Sequence, residues 1–378
     1  MNLSQPRPTC ASWRLPILHS SDSQLLSQYS AVTTTWQRPW CSASHDSFVD
    51  VANASVLLHD GPSFSGSVTV NSRPVVLHGD WWTRPRRVKR CDRHIDGPAA
   101  VFNTWRLSSF AHVMIDFLPA LTVVLARRSN PRLVLPRTPL LQAVLRATVP
   151  ATASKAYWVE AGTWTCVNGV LTVFMPGDSN PYSWHRMRHV QQLRMMMLSS
   201  SKLLAQQPGL ILYYYRKSAR HGRRIPRAHD MDIRSEIRTS MRTTRRREIL
   251  KIYTGMRGRH QMPFLEQMQI FKNASMVIGP HGGGLANILW VNLHGTSTGR
   301  PKVLEFICST QSVQVQPNGG CPWTNTFYWL WAGAQWLDYH HLSFASNSSR
   351  RATYVDLFEL RSSLHKLLSR GFSASLLE

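Results

Sequence analysis

From about Val51 the chain alternates short apolar runs with longer stretches whose apolar residues recur every three or four positions. Ser67–Val70 and Val75–Leu77 alternate or cluster apolar residues over a few positions, which predicts a few strands before Arg93. Further strands are predicted at Ala99–Phe102, Arg132–Leu135 and Gly169–Phe174. Helical spacing fills Ser109–Leu118, which should end near Pro119, and Thr138–Thr148. Trp184–Gln207 is polar on one face and Met/Leu-rich on the other, as expected of a long connecting helix. After Pro208-Gly209 the alternation restarts. Strands are predicted at Leu210–Tyr215, Glu248–Tyr253, Ser275–Gly279 and Lys302–Ile307. Helices are predicted at Ala228–Ser240, Pro263–Asn273, Leu285–Val291 and Thr324–Trp331. Repeated strand–helix units predict parallel sheets covered by helices. The expected class is therefore α/β, with two Rossmann-like domains whose parallel sheets face a cleft. The boundaries expected are a poorly ordered Ser/Thr/Pro-rich segment at 1–50, domains at 51–195 and 196–345, and a helical tail at 346–378.

Composition narrows this picture. With 378 residues, 43% of them hydrophobic, the chain can build real cores and is not of the disordered class. It carries 44 Lys and Arg against 20 Asp and Glu, a formal charge of +24. Such a chain attracts polyanions, whether nucleic acid, anionic lipid or a phosphorylated small molecule. Part of the excess is local: Arg216–Arg247 holds twelve basic and three acidic residues, and most of these arginines read as a solvated face. Arg84–Arg93, interrupted by Pro85, reads as a surface loop.

The six cysteines show neither CxxC nor zinc spacing, and Cys308 and Cys321 could close a disulfide in an oxidising compartment. Internal N-x-S/T sequons stand at Asn53, Asn273 and Asn347. No stretch reaches the ~20 apolar residues that span a bilayer, and the N-terminal apolar stretches are cut by Pro6, Pro8 and Pro16, unlike a signal peptide.

Three places carry candidate chemistry. In Val277–Asn287 an apolar strand runs into Gly282-Gly283-Gly284 and then a helix. Glycines allow close backbone approach, and the unpaired N–H groups of a helix start attract anions. The spacing is neither GxGxxG nor a Walker loop. In Leu210–Lys217 a buried strand ends in Arg216 and Lys217, with Arg220, Arg223 and Arg224 beyond. A guanidinium at a strand end suits a phosphate. Third, His112 and Asp116 stand four apart in a helical stretch, a spacing that lets a carboxylate orient an imidazole as general base. The triplet Asp230-Met231-Asp232 follows no apolar strand. It is read as acidic residues favouring the start of a helix rather than as a metal site.

In this order the three places resemble the family 61 glycosyltransferases, which include endoplasmic-reticulum O-linked N-acetylglucosaminyl- and O-mannose-extending transferases and plant xylan-decorating enzymes. His112-Val113-Met114-Ile115-Asp116-Phe117-Leu118-Pro119 resembles the family's His-x-x-x-Asp-x-Leu-Pro. The likeness continues through Tyr215-Arg216-Lys217, Arg223-Arg224-Ile225 and Glu266-Gln267. Pro280-His281-Gly282-Gly283-Gly284-Leu285-Ala286-Asn287 is similar to Pro-His-Gly-Ala-Gly-Leu-x-Asn, and Val303-Leu304-Glu305-Phe306 to a late Val-x-Glu strand. The likeness covers roughly 100–345. Gly283 stands where Ala is usual, Ala111 where Gly often precedes the His, and Asn292–Thr296 replaces a Pro-Pro-Gly turn.

The resemblance implies a GT-B-like architecture, with 51–195 as the acceptor side and 196–345 as the nucleotide-sugar side. It implies inversion at the anomeric carbon and a Golgi or endoplasmic-reticulum lumen, although the family's membrane anchor is not visible in this chain. It implies no metal and no cofactor beyond a UDP-sugar donor, with a glycan or glycoprotein as acceptor. Arg216, Lys217, Arg224, His281, Gly282, Gly283, Gly284 and Leu285 would serve the donor. Asn287 and Glu305 would either sit near the nucleoside or brace the loop, and His281 would contact either sugar or phosphate. His112 or Asp116 would take the acceptor's proton. Two other classes compete: a basic nucleic-acid-binding protein, and a family member that binds glycans without catalysis. Salt-steep oligonucleotide affinity marks the first; absence of donor hydrolysis and transfer marks the second.

Overall fold

The computed structural model describes residues 47–58, 66–70, 73–74, 91–102, 107, 109–127, 131–160, 162–175, 209–216, 224–258, 260–291, 300–308, 337–347 and 352–369. The described residues fall into two compact units. One lies within Ser42–Ser200 with Pro263–Leu265, the other within Ser201–Met262 and Glu266–Glu378. The fold is α/β, with one mostly parallel sheet in each unit.

The N-terminal unit begins with β1 (Ser47–Ala52), β2 (Ala54–Leu58), β3 (Gly66–Val70), β4 (Arg73–Pro74), β5 (Arg93–Asp96) and β6 (Ala99–Phe102). A helical run follows: α1 (Phe110–His112), a π-helical turn (Val113–Phe117) and α2 (Leu118–Arg127). Then come β7 (Arg132–Pro136), α3 (Pro139–Thr148), α4 (Pro150–Ala153), β8 (Tyr157–Val159), β9 (Trp164–Asn168) and β10 (Val170–Met175). One sheet has the order β1-β10-β6-β7-β8, parallel except for β1. The other, β4-β3-β2-β9-β5, is antiparallel apart from β5 beside β9. Valines and alanines of both sheets share a core that includes Val56, Val101, Val134, Val167 and Val173. Cys91 and Cys166 are disulfide-bonded across the second sheet, a pairing that the sequence spacing did not suggest.

Two expectations are corrected here. Residues 47–50, placed in the poorly ordered segment, form the start of β1 against β10. The helix does not end at Pro119 but continues to Arg127. A proline inside an α-helix lacks an N–H and crowds the carbonyl four residues back. The wide turn before Pro119 resets the ladder: the Leu118 N–H reaches the Val113 carbonyl, five residues back. Thr122 Oγ1 then donates to the Pro119 carbonyl at 2.7 Å. The helix predicted over Thr138–Thr148 is present from Pro139. Thr138 is its N-cap, accepting the Leu141 N–H at 3.2 Å.

The C-terminal unit contains β11 (Leu210–Tyr214), α5 (Arg227–Thr243), β12 (Ile249–Tyr253), a small hairpin of β13 (Met256–Arg257) and β14 (His260–Gln261), and α6 (Phe264–Lys272). β15 (Ala274–Pro280), a 3-10 helix (Gly283–Trp290), β16 (Lys302–Cys308), β17 (Asp338–Asn347), β18 (Ala352–Tyr354) and α7 (Leu357–Ser369) complete it. Its sheet has the order β12-β11-β15-β16-β17-β18, parallel up to the antiparallel β18. Ile233, Ile237 and Met241 of α5, with Leu360, Leu364, Leu367 and Leu368 of α7, share one core cluster with Ile211, Tyr213, Ile278, Leu304 and Phe306 of the sheet.

The stretch 346–378, read as a helical tail, thus supplies sheet and core. β17 runs to Asn347, β18 pairs with it, and α7 buries four leucines. Arg361 grips Glu236 of α5 through two hydrogen bonds of 2.8 and 2.7 Å. Asp230 lies in the first turn of α5, whose N-cap is Pro226. Its carboxylate accepts Arg234 Nε at 3.1 Å and pairs with Nη2 at 2.6 Å, so its charge is matched within the helix. The predicted strand at Val75–Leu77, the loop residues Arg84–Arg90, the helices Trp184–Gln207 and Thr324–Trp331, and Cys321 lie outside the described residues.

Two outcomes test this packing. Leu364→Ala should lower stability by about 2–5 kcal/mol in chemical denaturation, as for a fully buried leucine; a loss near zero would make α7 peripheral. His229 accepts the Val355 N–H on Nε2 at 2.9 Å, and burial holds its imidazole below the ordinary value. Its contribution to stability is therefore present above pH ~6.5 and declines as pH falls from there. His229→Gln should flatten that part of the stability–pH curve.

Candidate active site

The strand order of the C-terminal unit has one reversal. From β11 the chain moves outward to β12, returns to β15 on the other side of β11, and then proceeds through β16 to β17. Where neighbouring strands of an open parallel sheet lead off in opposite directions, their carboxyl ends leave a crevice that accepts ligands. Here those ends are Tyr214–Arg216 after β11 and Pro280-His281 after β15.

Side chains two apart on a strand share a face. The register pairs Tyr213 with Ile278, Gly279 with Glu305, and Glu305 with His341. Tyr214, Arg216, Gly279, His281, Glu305, Tyr339 and His341 therefore belong to one face at one end of the sheet. The contacts agree. Arg216 Nη1 donates to the carbonyl of His281 at 3.0 Å, joining the two strand ends. His281 Nδ1 lies 2.6 Å from Glu305 Oε1, and Tyr339 donates its hydroxyl to Glu305 Oε2. The His281 N–H donates to the Phe306 carbonyl at 3.0 Å. Glu305 is wholly buried, so its carboxylate depends on these donors.

The glycines are needed for close approach. A Cβ on Gly282 would stand 2.1 Å from Arg216 Nη1, so only glycine lets the guanidinium lie against this backbone. A Cβ on Gly284 would meet the Tyr214 ring at 2.5 Å, and one on Gly279 would meet the Tyr214 carbonyl at 2.7 Å. Tyr214 is the floor on which the loop rests.

Beyond the glycines the predicted helix is present as a 3-10 helix. Leu285 donates its N–H to the Gly282 carbonyl at 2.9 Å, and Leu285 through Trp290 are all buried. Asn287 is buried too. Its Nδ2 reaches Tyr253 Oη, Gln267 Oε1 and the Gly284 carbonyl, each at 3.2 Å. Tyr253 in turn donates to Gln267 Oε1, and Gln267 Nε2 to the Met262 carbonyl at 2.8 Å. Burial, with nearby Tyr214, pushes the Tyr253 hydroxyl far above the usual phenol range, so it remains a donor. Of the two readings left open for Asn287, this geometry fits the brace.

The other expected residues are placed as follows. Arg224 is exposed just before α5. Lys217 lies outside the described residues. His112 ends α1, half-buried, and Asp116 lies within the π-helical turn, its side chain outside the description. Both belong to the N-terminal unit. Such wide turns are rare and often occur at functional sites. Tyr214, Tyr253 and Tyr339 join the site with no motif to mark them, and Gln267 is marked only by the Glu266-Gln267 pair. The signal for Tyr214 was present in its two-residue spacing from Arg216.

Residues 110–298, half of the chain, match the family model described as Glycosyltransferase 61. The chain belongs to glycosyltransferase family 61. No curated protein matches it. The matched span begins at Phe110, two residues before His112, and contains the strand end at Arg216 and the glycine loop. As a family 61 glycosyltransferase, the chain works with a nucleotide-sugar donor and a glycan acceptor in general.

The two glycines flanking Gly283 should respond differently to a methyl group. In Gly284→Ala the clash is with a rigid ring, and stability should fall by about 1–3 kcal/mol. In Gly282→Ala it is with the end of a flexible arginine, which can move aside, and stability should change by less than about 1 kcal/mol. Denaturation midpoints check this, and the reverse order would contradict the geometry.

Proposed function

We propose that this enzyme transfers a sugar from a UDP-sugar to a hydroxyl of a glycan or glycoprotein, with inversion and without a metal. The observation that carries the reading is the Arg216–His281 hydrogen bond at the sheet's reversal point. A guanidinium has five N–H donors. One on the His281 carbonyl fixes the group, and others remain for oxygens of a diphosphate. Lys217, next in the sequence, would add a second charge, and the glycine-led start of the 3-10 helix offers backbone N–H groups. Arg224, exposed nearby in sequence, would meet the donor as it enters.

In the reaction an acceptor oxygen attacks the anomeric carbon from the side opposite UDP. The carbon–oxygen bond to the diphosphate breaks, and its electron pair leaves on UDP. The acceptor's proton passes to a base, for which His112 and Asp116 are the candidates. Arg216 and the loop stabilise the charge that develops on the departing diphosphate, the task that a metal performs elsewhere. Preorganisation by Glu305, Asn287 and the Tyr214 floor makes this stabilisation effective, because nothing has to reorient as charge develops.

A two-domain GT-B-like arrangement is the architecture proposed, the N-terminal unit carrying the acceptor and the C-terminal unit the donor. The parallel sheet in each unit supports it. A Golgi or endoplasmic-reticulum lumen is the proposed location, and the Cys91–Cys166 disulfide suits such an oxidising compartment. Among the described residues, no helix is long and apolar enough to cross a membrane. The nucleic-acid reading loses support, because Tyr213 and Tyr214 are buried and offer bases no stacking surface.

Thermal unfolding with UDP, GDP and their sugars, each with and without EDTA, tests the donor and the metal together. Stabilisation by UDP that survives the chelator is expected; stabilisation that the chelator abolishes would overturn metal independence. Arg216→Ala should slow transfer about 100-fold or more while leaving the fold intact. Near-normal turnover would refute the diphosphate role.

A further inference from the structure

Among the described residues, the carboxyl end of the C-terminal sheet carries polar groups that the transfer mechanism does not use, and one of them is the hydroxyl of Tyr339. It is buried on β17, two strands from the glycine loop, with 1% of the residue exposed. It donates to Glu305 Oε2, while Glu305 Oε1 faces His281 Nδ1 at 2.6 Å. The two oxygens of one buried carboxylate are thus divided between two strands. A carboxylate only accepts, so the ring nitrogen that faces it must carry a hydrogen. With Glu305 as the acceptor of this contact, His281 carries its hydrogen on Nδ1. In the neutral ring, Nε2 bears the lone pair.

We propose that Tyr339 is a positioning residue for the donor loop, acting through Glu305 on His281. By donating to Oε2, Tyr339 stops the carboxylate from rotating and keeps Oε1 aimed at Nδ1. That sets the tautomer and the ring orientation of His281. The same residue's carbonyl accepts Arg216 Nη1 at 3.0 Å, so the hold on the ring extends to the guanidinium. The chain of contact runs from β17 through β16 and β15 to the end of β11, all on one face of the sheet. Its physical basis is the demand of a buried charge for donors: without Tyr339, Oε2 loses its partner, and the carboxylate turns toward whatever donor is nearest. His341, which shares this face, has its ring 6.3 Å from that of Tyr339 and closes the row on that side.

The idea rests on the donor reading for its consequence but not for its test. The ring-nitrogen spectrum of protein labelled with nitrogen-15 histidine, with His281 assigned from the spectrum of His281→Gln, reports the tautomer in the nucleotide-free chain. The wild type should show a protonated Nδ1. Glu305→Gln and Tyr339→Phe should both shift the His281 signals, and the double variant should add little to the larger single effect, because the two groups act in series. UDP titration should show Tyr339→Phe weakening affinity about tenfold at a temperature where both proteins are fully folded. A wild-type spectrum with the hydrogen on Nε2 alone overturns the proposal. So does a Tyr339→Phe variant whose His281 signals are unchanged. A wild type that binds no nucleoside diphosphate defeats the donor reading alone, since the spectrum still decides whether Tyr339 governs His281.

Discussion

One hydrogen bond, from Arg216 to the carbonyl of His281, ties together strand ends that lie 65 residues apart in the chain. It forms because β11 and β15 are neighbours in a parallel sheet whose connections lead away on opposite sides. Parallel pairing brings both carboxyl ends to the same edge of the unit, and the two-residue alternation of side chains decides which groups meet there. A slip of one residue in β15 would carry His281 to the other face. It would replace the ring that meets Glu305 with Pro280 or Gly282. Register is held by the core beneath, where Ile211, Tyr213, Ile278, Leu304 and Phe306 meet α5 and α7.

Each part of the loop has its own support. Gly279 and Gly284 lie on Tyr214, Gly282 makes room for Arg216, His281 is held by Glu305, and Asn287 is tied to Gln267 and Tyr253. Buried polar groups are costly when unsatisfied and restrictive when satisfied. A network of this kind holds the loop in one conformation. For an enzyme that must stabilise charge on a leaving group, that rigidity is the useful property, because dipoles already in place need not reorganise.

Much of this was legible in the sequence. Period-2 and period-3.6 patterns located the strands β6, β7, β10, β11, β12, β15 and β16 and the helices α3, α5 and α6 within a few residues, and apolar strands ending in Arg216 and in His281–Gly284 marked the edge that matters. Other parts were not. The helix through Pro119 depends on a wide turn, which leaves no periodic signature in its five residues. The Cys91–Cys166 bridge joins residues 75 apart, a pairing set by how β2, β5 and β9 assemble rather than by spacing. β17 and β18 were missed because Asp338–Asn347 mixes histidine, serine and tyrosine with few aliphatic residues. Tyr339 escaped notice for the same reason: nothing in its local sequence tells that the strand beside it carries a buried carboxylate.

The central claim is that the edge at Arg216 and His281 holds a diphosphate. Calorimetric titration of UDP against UMP, in the wild type and in Arg216→Ala, addresses it directly. The claim predicts that the wild type binds UDP far more tightly than UMP, and that the substitution removes most of that difference while leaving UMP affinity little changed. Equal affinity for the two nucleotides in the wild type, or a preference that survives in Arg216→Ala, would contradict it.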